Sequence, residues 1–290
     1  MATGDTTTGS VTNALDTMVA AARMVRDYDA VVPKTVDRQR LAEGTGLTWI
    51  EDRVELLSAM AVNETTVMDN AQQYADTKFS VTPTYSGIMT FISNRTMQRA
   101  DPKVTALLRG TAMSRALQRK KDVDGILQFA VFTTALAGTG QTLHSGFISA
   151  GASRIRGNAT EPGTGTLNAV LHPYGIKDLQ DELVAGVGTY TIPEGLSAET
   201  YRRGFSGTVT GVNVWEDGNI AIASNDARGA IYDSKGIVLV EGMSMKSYER
   251  FRPDKGAGGT EYYLYDEYAY GIRRDVWGFS ILHDATNPAN

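Results

Sequence analysis

Three stretches in the last third of the chain decide its reading: FSGTVTGVNVWEDGNIAIAS (205–224), GAIYDSKGIVLVEGMSMKSYERF (229–251) and TEYYLYDEYAYGIRRDVWGFSILHD (260–284). Each reads as short strands separated by turns. Asp217-Gly218 and the run Asp233-Ser-Lys-Gly236 carry turn chemistry between apolar strands and predict hairpins. The tract from Tyr262 to Tyr270 alternates as a strand with aromatic residues on both faces, either a stacking surface for single-stranded nucleic acid or, more simply, one face for a helix and one for another copy of the chain. Upstream, LNAVLHPYGIKDLQDELV (167–184) reads as strand, turn and helix, with a helix over 176–184 turning Leu179 and Leu183 inward.

Working back toward the N-terminus, residues 138–166 are rich in Gly and Thr and read as loop around a short helix near 147–155. Before them Asp101 is suited to cap a helix with Pro102 at its first position. The apolar residues Val104, Leu107, Leu108, Ala112, Ala116, Val123, Ile126, Leu127, Ala130 and Val131 continue that helix, and Gly138 would end it. Unbroken, it has about 35 residues and spans roughly 50 Å at 1.5 Å per residue. FSVTPTYSGIMTFIS (79–93) is strand material interrupted by Pro83, and residues 47–80 read as a long hairpin projecting from the body. Residues 34–46 are polar, an arm with little core of its own. Ser10 would cap a helix carrying Val11, Leu15, Met18, Val19 and Ala22, and the small polar residues 1–9 read as disordered in isolation.

Composition narrows the chemistry. The chain has 290 residues, 42% hydrophobic and 21% charged, ordinary for one large or two smaller soluble domains. No apolar run approaches the ~18 residues of a membrane span, and MATGDTTTGS lacks the basic and apolar regions of a secretory signal, so folding in a cytoplasm is expected. With no cysteine, disulfides, thiolate metal sites and a Cys nucleophile are excluded. His144, His172 and His283 are too scattered to suggest a zinc site. The net charge of -5 argues against sequence-specific DNA recognition, although like charge suits a container whose wall must not hold DNA.

No catalytic constellation stands out. The Gly138-Thr-Gly-Gln-Thr and Gly186-Val-Gly-Thr runs lack the lysine of a phosphate loop. Asp178, Asp181 and Glu182 complement a helix dipole as readily as they would do acid–base work. His172 has no serine elbow to serve, and reads as structural. The most basic stretch holds Arg95, Arg99, Lys103, Arg109, Arg115, Arg119, Lys120 and Lys121 against Asp101, Asp122 and Asp124. It is either a solvated helix face or a surface touching DNA phosphates without sequence preference. Arg115, Arg119, Lys120 and Lys121 are the candidates for that contact, with the stripe through Ala112, Ala116 and Val123 facing the sheet.

The order of these parts resembles the major capsid proteins of tailed double-stranded DNA bacteriophages, the Hong Kong 97-type shell fold. AVLHPYGIKDLQDEL, GTVTGVNVWED and YGIRRDVWGFSIL are the pieces most similar to that family. The resemblance implies an α+β fold with an N-terminal arm (1–46), an extended loop (47–80), and a peripheral strand and spine helix (81–137). An axial domain (138–228) and returning peripheral strands (229–290) would follow. It further implies pentamers and hexamers of an icosahedral shell enclosing double-stranded DNA, no enzymatic activity, no cofactor and no membrane partner. Many family members begin with a scaffolding extension of about a hundred residues; its absence here implies a separate scaffolding protein or a processed chain, beside a portal. The expected location is the virion, after assembly in the host cytoplasm. Only Lys78 falls near the loop position that crosslinking members use, which gives no ground for a crosslink. On the extended loop, Trp49, Ile50, Val54, Leu56 and Leu57 have too few neighbours in their own chain and are expected to pack on the adjacent subunit. The alternatives are an encapsulin-type nanocompartment, distinguished by a cargo-docking groove, and a carbohydrate hydrolase, which would need two facing carboxylates in a cleft.

Overall fold

The computed structural model describes residues 28–65, 72–100, 110–185 and 207–288. The helix expected to open at Ser10, the helix start expected at Asp101–Pro102, and the glycine run at 186 lie outside the described residues. Strands and helices are numbered here in chain order.

Two sheets carry the molecule. A four-stranded sheet has the order β1 (Asp37–Arg40), β11 (Ile237–Arg252), β12 (Gly259–Ile272), β4 (Thr84–Ser93). A seven-stranded sheet runs β5 (Ala135–Ala137), β13 (Gly278–Asp284), β10 (Asp226–Asp233), β6 (Leu167–Leu171), β8 (Val212–Glu216), β7 (Thr208–Val209), with β9 (Ile222–Ala223) paired to β10. The hairpin of β2 (Trp49–Val54) and β3 (Asp76–Val81) stands apart from both. Helices are α1 (Val32–Thr35), α2 (Asn94–Arg99), α3 (Ala112–Leu127), α4 (Ser145–Arg156) and α5 (Pro173–Ala185).

Burial explains the layering. All five residues of β6 are buried, as a strand with covered faces on both sides requires. The inward residues of α4 are Ile148, Gly151, Ala152 and Ile155, one helical stripe over the seven-stranded sheet. Gly151 lets the helix close on β10, since a Cβ there would sit 2.6 Å from Ile231 Cγ2. On the other sheet, Tyr262 and Leu264 of β12 and Ile88 and Ile92 of β4 pack with Met113 of α3. A further cluster, with Phe129, Phe132, Tyr232, Ile237, Leu239 and Tyr268, joins the two sheets. The strand at 167–171 and the helices at 145–156 and 173–185 agree with the sequence reading, and Leu179 is buried as expected.

Several expectations are corrected. The long helix does not reach 137: α3 ends at Leu127, one 3-10 turn covers Gln128–Ala130, and Ala135–Ala137 pairs parallel with β13. Phe129 and Phe132 are drawn into the core between the sheets, and the β-branched Val131, Thr133 and Thr134 favour leaving the helix there. The inward face of α3 is Met113, Leu117, Lys121, Asp122 and Gly125, whereas Ala116 is exposed. Neither predicted turn makes a hairpin between its flanking strands. Strands β10 and β11 lie in different sheets, because the Asp233 carboxylate accepts from Lys235 N–H (2.9 Å) and Gly165 N–H (2.7 Å) and diverts the chain. After Asp217-Gly218, β9 pairs with β10 and not with β8. The division at 228/229 falls inside β10; of the closing strands only β11 and β12 enter the four-stranded sheet. The 34–46 segment also has more core than its polarity suggests. Val31, Val32, Thr35 and Val36 are buried just at its start, and β1 pairs parallel with β11.

Candidate functional site

On α3, Arg115, Arg119 and Lys120 are exposed. Lys120 makes the helix-surface pair with Asp124 at 2.9 Å, and Asp124 also accepts from the Tyr268 hydroxyl at 2.7 Å. Arg115 borders a groove of about 940 Å³ between α3 and β11, shared with Met113, Gln118, Met245 and Tyr262. Lys121 is different. Spaced four residues from Leu117 and Gly125, it follows the inward stripe; its Nζ meets Asp266 at 3.0 Å and Glu241 at 2.7 Å and lies over the Tyr268 ring. The DNA-facing expectation is therefore corrected at Lys121, whose charge is spent inside the subunit. The aromatic tract of β12 divides as its alternation predicts: Tyr262 and Tyr268 turn toward α3, and Tyr263 and Tyr265 stack on the opposite face.

The projecting hairpin has two faces. Ile50, Val54, Leu56 and Leu57 are exposed, from 46% to 78%. Trp49 instead packs edge-on to Phe79 and joins Val81, Val238 and Val240. The expectation that Trp49 packs on a neighbouring subunit is thus corrected: alternation along β2 sends Trp49, Glu51 and Arg53 inward and Ile50, Asp52 and Val54 outward. Arg273 clamps the hairpin base, bonding Glu51 at 2.8 Å and Asp37 at 2.9 Å, and Arg53 meets Glu161 at 3.3 Å.

Among the described residues, no three His, Asp or Glu side chains converge as a metal site would need. His172 is a helix cap, its Nδ1 accepting from Tyr174 N–H at 3.2 Å. Glu182 accepts from the Ser145 N–H and hydroxyl at 2.7 and 2.9 Å, capping α4. His283 is fully buried, and burial lowers the proton affinity of both His283 and His172. One arrangement missed by sequence reasoning is a carboxyl pair. Asp122 and Asp217 touch although 95 residues of chain order hide it, Asp217 having passed as turn chemistry; at 0% and 1% exposed they open on no cleft.

Solved structures superpose on this chain over nearly its whole length. The capsid of Helicobacter pylori bacteriophage KHP30 superposes with a TM-score of 0.70 at 9% identity, covering 97% of this chain and 98% of its own. The fold is the phage shell fold. The Mycobacterium phage Che8 chain gives a TM-score of 0.68 at 14% identity, over 93% of this chain and 97% of its own. The SrpI encapsulin of Synechococcus elongatus shares the fold too, at a TM-score of 0.60 and 12% identity, over 94% and 95%. No family model matches the chain, and no curated protein sequence matches it.

Proposed function

We propose that the chain is the structural subunit of an icosahedral phage head, closing into pentamers and hexamers around double-stranded DNA. The observation that carries this is the near-complete, reciprocal coverage by phage capsid chains. In each ring one face of the subunit meets a different face of the next, so the outward residues Ile50, Val54, Leu56 and Leu57 find cover on a neighbour. Arg115, Arg119 and Lys120 face the packaged DNA and touch phosphates weakly, as an overall acidic wall allows. The subunit works in the virion, has no enzymatic role, and is assembled in the host cytoplasm with a separate scaffolding protein and a portal.

The likeness to an encapsulin favours a second reading, a shell enclosing a cargo protein. Negative-stain microscopy of the purified chain, made with and without a scaffolding protein, separates these from everything else: closed particles or capsomers are expected. A monodisperse monomer at high concentration with scaffold supplied would overturn both shell readings. Nucleic acid inside the particles supports the phage head, and a co-purifying protein cargo without DNA supports the compartment.

A further inference from the structure

Asp122, fully buried on α3, gathers three separate pieces of chain. Its Oδ1 accepts from the backbone N–H groups of Val31 (2.8 Å) and Val32 (2.9 Å), and its Oδ2 accepts from Asn219 Nδ2 (2.9 Å). Against it lies the Asp217 carboxyl, whose Oδ1 accepts from Asn219 N–H at 2.8 Å and whose buried Oδ2 finds no donor among the described residues. Two ionised carboxylates cannot share such a space cheaply, and an oxygen without a donor beside a second carboxylate locates a proton between them.

Among the described residues, no cation takes the proton's place. Lys121, next on the helix, is held by Asp266 and Glu241, and Lys120 by Asp124. From the N-terminal segment, Arg38 pairs with Glu241, while Asp29 and Lys34 border a different groove. From β12 comes the Tyr270 hydroxyl, buried and without a partner among the described residues, and from β10 the Tyr232 hydroxyl, bonded to Thr35 Oγ1. Both are phenols whose ionisation is pushed up, first by burial, with Asp122 adding to it at both and Asp217 at Tyr232. Glu216, beside Asp217, is exposed. Among the described residues no lysine or arginine forms an ion pair with either carboxylate.

We propose that Asp122 and Asp217 share one proton, and that this proton latches the segment Tyr28–Val32 onto α3 and onto the 217–219 turn. Ionised Asp122 holds the Val31 and Val32 N–H groups, while Asp217 keeps the proton that lets its turn lie against Asp122. The Tyr28 ring covers the turn; a Cβ on Gly218 would stand 2.3 Å from its Cζ, so a side chain there would displace the ring. Loss of the proton leaves two like charges in a dry space, and the pieces separate. Burial, then the hydrogen bond to Asp122, pushes the Asp217 carboxyl up to about 8, which puts release in the mildly alkaline range. The latch belongs to the single subunit and does not depend on what the shell encloses.

Hydrogen exchange of the full-length chain between pH 6.5 and 9.5, expressed as protection factors for the Val31 and Val32 amides, tests the latch. Protection is expected to fall at least tenfold between pH 7 and 9 in the natural chain. It should stay flat in Asp217→Asn, whose amide keeps a donor toward Asp122 and cannot ionise. Constant protection in the natural chain, or an unchanged loss in Asp217→Asn, overturns the proposal. If the variant does not fold, chymotryptic cleavage after Tyr28 in the natural chain, corrected against a peptide standard, gives the same decision. A tenfold acceleration over that range supports the latch, and a flat rate refutes it.

Discussion

Replacing Lys121 by Met should destabilise the subunit itself, with or without nucleic acid. The ammonium sits between Asp266, 6% exposed in its side chain, and Glu241, 32% exposed. Removing one partner of a buried pair costs about 3–5 kcal/mol, because the remaining charge stays unpaired. The Glu241 half is solvent-screened and adds only about 0–1 kcal/mol. Methionine keeps the stem that packs by Tyr268, so the low end, about 3 kcal/mol, is expected. At a few degrees per kcal/mol for a chain of this size, the melting temperature should drop by about 6–12 °C. The assay is a thermal melt of the purified chain after nuclease and high-salt treatment, repeated at low and high salt. Adding Asp266→Leu should recover most of the loss, since the stranded carboxylate is then gone. Arg119→Gln with Lys120→Gln, on the exposed face, should change the same melt by no more than about 0.5 kcal/mol per site. A Lys121→Met melting temperature within about 1 °C of the natural chain would refute the buried-bridge account and return Lys121 to the surface set.

Two further outcomes follow from the same geometry. Trp49→Ala should lower the melting temperature of the subunit, because Trp49 fills its own hairpin base against Phe79 and Val81; Ile50→Ser with Leu56→Ser should leave the melt alone and reduce particle yield by microscopy. Normal particles from the double variant would refute the neighbour contact. Acid should weaken the fold through His172 and His283. Burial lowers their folded-state affinity below the ordinary 6.5, so their contribution is complete above that value and is lost as pH falls beneath it. Melts at pH 7.5 and 5.5 should show a drop of several degrees that His283→Leu reduces; identical slopes would sink the assignment.

Local signals were legible in the sequence, and partners of strands were not. LNAVL, the helix after Pro173 and the alternating tyrosines of β12 announce themselves through period and end chemistry. The outward Ile50 and Val54 were readable too, and strict alternation would have turned Trp49 the other way. Asp233-Ser-Lys-Gly236 looks the same whether its strands pair or part; what parts them is Gly165, 68 positions away. The long hairpin of the four-stranded sheet, β11–β12, turns through Pro253-Asp-Lys-Gly, a signal present but eclipsed by its neighbours. Lys121 misled because charge outweighed position, since its spacing from Leu117 and Gly125 already placed it on the buried stripe. Asp217 misled because an Asp-Gly turn needs no partner to be explained.

The sheet order also sets a timetable for biosynthesis. Asp37 pairs with Val238, Ser93 with Gly259 and Ala135 with Ser280, so early segments are completed by strands made near the end. At ribosomal rates of roughly 5–20 residues per second, a chain of 290 residues takes about 15–60 s to emerge. For most of that time the 84–93 strand lacks its partner β12, and the outward face of the hairpin has no neighbour to cover it. Non-local pairings of this kind form slowly even once the chain is free. Nascent subunits translated side by side on one message therefore carry uncovered strand edge and apolar surface until the last strands emerge, and completion of β11, β12 and β13 is what closes that window for premature association.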